Sequence, residues 1–91
     1  MMERTAYKYE HLIYAQADDG VFLRQCQALE ENIADLVKGE LIEDLDYDRQ
    51  LYNLHGAEVV VENDTMVNGV FVRSDVNLLP YFQHRQERKV A

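Results

Sequence analysis

Cysteine, proline, tryptophan and basic residues are all scarce in this sequence, and most of these shortages close off a class of protein. The one cysteine, Cys26, has no partner for an intramolecular disulfide and supplies too few thiolates for a cysteine-based zinc cluster, which suits a reducing compartment. A single proline, Pro80, and four glycines scattered at 20, 39, 56 and 69 provide neither a flexible linker nor a glycine-rich loop to cradle a phosphate. No Gly-x-Ser-x-Gly or Gly-Lys-Ser/Thr string occurs, so acyl and phosphoryl transfer lose their usual signatures. No run approaches the roughly 20 apolar residues that span a bilayer. Met1-Met2-Glu3-Arg4-Thr5 also lacks an apolar stretch of signal-peptide length. These features read as a cytoplasmic protein with no membrane partner.

The shortage of positive charge is the most informative. Lys and Arg number 9 against 17 Asp and Glu, a net charge of −8. The imbalance sits in one third of the chain: residues 18–48 carry ten carboxylates against Arg24 and Lys38, and the remainder is neutral. Self-repulsion among so many acids disfavours a compact state, so such a block calls for a reason: solubility, a cation or a basic partner. With 47% hydrophobic and 29% charged residues the chain is nevertheless expected to fold. Ninety-one residues close a single hydrophobic core. The expectation is one compact domain over 1–91, with 84–91 (His84, Arg85, Arg88 and Lys89 against Glu87) as a mobile basic arm.

The hydrophobic pattern predicts a strand within 6–17, where His11-Leu12-Ile13-Tyr14-Ala15 is rich in strand formers. Phe22, Cys26, Leu29, Ile33, Leu36 and Val37 recur at helical spacing, and Asp18 or Asp19 can cap the start, which predicts a helix over about 20–38. Leu41, Ile42, Leu45, Leu51 and Tyr52 suggest a second helix ending near Leu54, with Gly56 taking a left-handed closing conformation. Val59-Val60-Val61 and Val70-Phe71-Val72 form a hairpin, turning at Asn63-Asp64 or at Asn68-Gly69. Ser74 can cap a short final helix from Asp75 to about Phe82. The expected fold is α+β, two helices packed on a small antiparallel sheet in the order β-α-α-β-β-short α.

Little in this pattern points to catalysis. Asp44, Asp46 and Asp48 imitate the first three ligands of a calcium loop, but the sixth and twelfth positions are Arg49 and His55 in place of Gly and Glu. His11, His55 and His84 form no metal-binding helix pair. Cys26 lies on the apolar stripe as a core thiol. Neither a metal nor another cofactor is expected, and the protein reads as a non-enzyme.

Arg73-Ser74-Asp75-Val76, after a wing-like hairpin, resembles the hairpin-to-helix junction of excisionase-type winged helices over those four residues. A recognition helix in such a fold is basic, whereas the helical segments here hold the acids, so direct nucleic-acid binding is not expected. The reverse role fits: ordered carboxylates can occupy a protein groove built for phosphates. The expected partner is a protein with a basic nucleic-acid-binding surface. Its contacts would be Glu31, Asp35, Glu40, Glu43, Asp44, Asp46 and Asp48, spaced a helical turn apart in pairs such as Glu31/Asp35 and Glu40/Asp44. By functional analogy this is the work of DNA-mimic and anti-defence inhibitors of bacteriophages, anti-CRISPR proteins among them. The alternative is a homodimeric regulatory or interaction module with Tyr7, Tyr9, Tyr14, Tyr47, Tyr52, Tyr81 and Phe82 as its interface.

Overall fold

A computed structural model describes residues 6–81. The elements run β1 (Tyr9–Tyr14), α1 (Asp19–Asn32), β2 (Val37–Glu43), β3 (Tyr47–Leu54), β4 (Ala57–Asp64) and β5 (Gly69–Ser74). All five strands join one antiparallel sheet in the spatial order β1-β5-β4-β3-β2, a four-strand meander to which β1 is added beside β5. This overturns the expected pair of helices on a small sheet. Among the described residues one full helix is present, and the segment expected as a second helix is the β2–β3 hairpin. Nor does the arrangement match a winged helix, since Arg73-Ser74-Asp75-Val76 leads out of a central strand rather than a wing.

Helix α1 begins where the acids allow it. Asp18 is extended and its side chain accepts the Val21 N–H at 2.9 Å, satisfying one of the free donors of the first turn. The helix stops at Asn32, short of the expected 38, because the Asn32 side chain donates to the Ala28 carbonyl at 2.7 Å and Ile33 turns extended. Ile33 stays buried and Leu36 still packs on the core as the chain folds back toward β2. Their helical spacing therefore continues past the end of the helix.

Strands β3 and β4 pair without interruption from Tyr47↔Asp64 to Leu54↔Ala57 around the two-residue turn His55-Gly56. Both turn residues have positive φ, +52° and +87°, the geometry that matches the twist of a tight hairpin. Gly56 does take the expected left-handed conformation, but it closes a hairpin and not a helix. The β4–β5 hairpin pairs Val61 with Val72 and Asp64 with Gly69. Its loop is neither of the two expected turns: 65–68 span it, with Asn68 left-handed and the Asp64 carboxylate accepting the Met66 and Val67 N–H groups. After β5, the Ser74 hydroxyl donates to the Val76 carbonyl instead of capping a helix, and only 79–81 are helical. The final helix expected over Asp75–Phe82 is thus a single turn within the described residues, and the basic arm lies outside them.

Side chains alternate across the sheet. One face presents Tyr52, Leu54, Val59, Val61 and Val72 to Phe22, Cys26, Leu29 and Ile33 of the helical segment, with Leu78 closing the core. Tyr52 is 3% exposed, and its hydroxyl donates to the Glu30 carboxylate at 2.6 Å. Burial first, and that hydrogen bond second, push its phenol far above the ordinary tyrosine range. Unfolded tyrosine ionises near pH ~10, whereas folded Tyr52 keeps its proton there. The folded state then binds more protons, so the stabilisation present below that pH is lost as pH rises. Urea titrations of wild type and Tyr52→Phe should diverge, wild type losing about 1.4 kcal/mol per pH unit relative to the variant above ~10. Cys26 shares this core. Burial, the main cause, pushes its thiol up as well, which suits an inert packing residue rather than a nucleophile.

Candidate protein-binding surface

The face of the sheet away from the α1 core carries Arg49 and Arg73, both engaged outside the acidic block, while within the block Lys38 pairs with Glu30 at 3.3 Å. Cross-strand register sets Arg49, Glu62, Phe71 and Leu12 in one row and Leu51, Val60, Arg73 and Glu10 in the next. Glu62, 4% exposed, meets Arg49 Nε at 2.5 Å through one oxygen and Arg73 Nη1 through the other. Arg73 Nε also reaches Glu10 at 2.7 Å. The guanidinium of Arg73 lies 4.7 Å from the Phe71 ring centre, and that of Arg49 lies 5.6 Å from Tyr47. The ring of Phe71 folds back over Gly69, where a Cβ would stand 2.9 Å from it. Both carboxylates in this network come from outside residues 18–48, so it leaves the charge of the block untouched.

Five of the seven expected contact residues share one hairpin. Glu40 and Glu43 lie on β2, an edge strand, Asp44 and Asp46 lie in the turn, and Asp48 is the second residue of β3. Among the described residues none of the five is held in an ion pair. The turn is tight: Asp44 N–H donates to the Tyr47 carbonyl at 2.8 Å, and the Asp44 carboxylate accepts the Leu45 N–H at 2.7 Å. The calcium-like Asp44-x-Asp46-x-Asp48 string therefore spans the β2–β3 hairpin connection and the start of β3. Among the described residues no group of three His, Cys, Asp or Glu side chains is placed to hold a metal ion.

Glu31 and Asp35 do not join them. Asp35 pairs with His55 at 3.2 Å, at the β3–β4 turn, so the length of β3, roughly 25 Å at about 3.4 Å per residue, separates it from the Asp44–Asp46 turn. Glu31 lies in the last turn of α1, where Gln27 donates to it at 3.2 Å. Expected spacing by helical turns also fails for Glu40, Asp44 and Asp48, which lie on strands and a turn. The acids instead meet across the ladder, Glu43 directly opposite Asp48. Like charges so placed repel, and Asp48→Asn is expected to raise stability by roughly 0.2–1 kcal/mol, read as a higher urea midpoint.

A bulge shapes the acidic edge. Lys38 pairs with Tyr52 and Leu41 with Gln50, so Gly39 and Glu40 together oppose Leu51. Buried Gln50 secures it, its side-chain amide donating to the Gly39 carbonyl at 2.9 Å and the Leu51 carbonyl at 3.1 Å. Beside the bulge lies a shallow depression lined in part by Glu40, Glu58 and Asp75 and by no basic side chain.

Sequence reasoning missed part of this surface. Thr65, in the β4–β5 loop, donates its N–H and its hydroxyl to the Asp46 carbonyl, both at 2.9 Å, so the two hairpin tips stand side by side. Asn63 accepts the Asp18 N–H and donates to the Asp19 carboxylate, which brings the start of α1 to the same end of the sheet. Asp18, Asp19 and Asp64 thus join the hairpin acids. Among them stand Leu45 at 95%, Met66 at 76% and Val67 at 62% exposure. The pairing of β3 with β4 produces this juxtaposition, and no local pattern in the sequence carries it.

No described helix is long and apolar enough to cross a membrane. Comparison with protein-family models, with curated proteins and with solved structures finds no match for this chain.

Proposed function

We propose that this is a cytoplasmic, non-enzymatic binding protein that presents the acidic loop end of its sheet to a partner's basic, nucleic-acid-binding surface and blocks it. The observation that supports this reading is the set of five hairpin carboxylates, Glu40, Glu43, Asp44, Asp46 and Asp48, free of ion pairs among the described residues while Arg49 and Arg73 are spent on Glu62 and Glu10. A surface selected only for solubility intersperses both signs, whereas from Glu40 to Asp48 this hairpin carries five carboxylates and no Lys or Arg. Exposed Leu45, Met66 and Val67 add apolar anchors within an acidic rim, so the rim steers encounter and the anchors hold the complex. An inhibitor of the phage anti-defence kind works in this way, by occupying the groove that would hold phosphates.

The test is capture from host lysate at low and at high salt, with the five-site Gln/Asn variant beside wild type. Support would be a basic nucleic-acid-binding protein retained by wild type at low salt, lost with the variant and displaced by an oligonucleotide. Equal retention of that protein by wild type and variant would defeat the reading.

A further inference from the structure

The joined hairpin tips carry more than charge. Leu45, Met66 and Val67 are exposed there together, and apolar side chains gathered in the open at one place mark an interaction surface. Both loops are held before any partner arrives. The Asp64 carboxylate accepts the Met66 and Val67 N–H groups at 2.9 and 3.0 Å, the Asp44 carboxylate accepts the Leu45 N–H at 2.7 Å, and Thr65 ties one tip to the other through the Asp46 carbonyl. Little loop entropy is then left to lose on binding. Along the first tip acid and apolar side chains alternate, Asp44-Leu45-Asp46. From this arrangement we infer that the tips stand in for a single strand of nucleic acid rather than a duplex, carboxylates taking the places of phosphates and Leu45, Met66 and Val67 those of unstacked bases. The partner's groove then has basic walls and an aromatic floor.

The inference rests on the blocking role proposed above and names the class of its target. A duplex keeps its base faces stacked inside, so a duplex reader meets phosphates and the edges of bases. Against such a reader the three apolar side chains would be pressed onto Lys and Arg heads, removing charge from water with nothing to compensate. A single-strand groove is built differently. It follows the backbone with positive charge and stacks successive bases on aromatic rings. It therefore offers charge to the acids and apolar contact to Leu45, Met66 and Val67 at the same time, the two things that the tips present side by side.

Competition against purified probes tests it: a single-strand-binding OB-fold domain loaded with fluorescent single-stranded oligothymidylate, and a homeodomain loaded with its fluorescent duplex. Anisotropy reads the release of each as the acidic protein is added, and the inhibition constant is corrected for each probe's own affinity. Wild type should inhibit the OB-fold domain at least about tenfold more tightly than the homeodomain. Leu45→Ser, Met66→Ser and Val67→Ser combined keep the charge and should erase that preference. The five-site Gln/Asn variant should weaken inhibition of both probes. All three serine sites are exposed, so the fold should survive, and circular dichroism checks it. Equal inhibition of the two probes, inhibition of neither, or a triple serine variant with the wild-type preference would overturn the inference. Lysate capture, which selects no probe in advance, decides the blocking role separately.

Discussion

Glu62→Ala is expected to cost about 3–5 kcal/mol, the loss that follows when one member of a buried ion pair is removed and its partner stays behind. Glu62 lies between Arg49, which is 4% exposed, and Arg73, and it meets both guanidinium groups. Without it the Arg49 charge keeps its burial and loses a counter-ion that water cannot replace. A chain of this size has about 5–14 kcal/mol of stability in all, so the variant should unfold at much lower urea or be unfolded outright. Glu10→Ala provides the contrast. Its carboxylate is 54% exposed, and removing a pair of that kind costs under about 1 kcal/mol. Urea denaturation followed by circular dichroism reads both, and Glu62→Ala combined with Arg49→Met should recover part of the loss. A Glu62→Ala midpoint close to wild type would mean that the network contributes nothing to the fold.

The second large effect concerns rate. Replacing Glu40 and Glu43 by Gln, and Asp44, Asp46 and Asp48 by Asn, should slow association with a basic partner of the proposed kind by about 10- to 1,000-fold at low salt. The difference should shrink as salt is added, and dissociation should change little, because steering acts before contact. The domain should survive the change, since these side chains are exposed or half-buried and the Glu43–Asp48 repulsion disappears. Stopped-flow association across a salt series distinguishes this from a general loss of affinity. Unaltered association would mean that the acids only keep the protein in solution.

The elements that could be read along the chain are those in which local preference and final environment agree. Phe22, Cys26 and Leu29 mark one helical stripe, and the valine runs 59–61 and 70–72 mark the two central strands. The β2–β3 hairpin was not readable. Val37 and Ile42 are its only β-branched residues, and its Leu, Glu and Gln residues favour helix. What holds it in the sheet is the uninterrupted ladder to β4, whose valines need cover on both sides. The acidic surface was legible as composition but not as shape. Five carboxylates converge because β2 and β3 fold back on one another, while Glu31 and Asp35, near them in sequence, stay with the end of α1 and the β3–β4 turn. The Arg49–Glu62–Arg73 cluster depends on two registers at once, and spacing along the chain says nothing of either.

The addition of β1 to β5 also has a consequence during synthesis. Tyr9 pairs with Ser74, so β1 lacks its β5 partner until some 65 further residues have been made. At about 5–20 residues per second, that delay is roughly 3–13 s. An apolar segment waits through it with its backbone unsatisfied, and the acidic stretch is translated in the interval. By Asp48 the nascent chain already carries a net charge of −8, and mutual repulsion between neighbouring unfinished chains keeps them apart until the sheet can close.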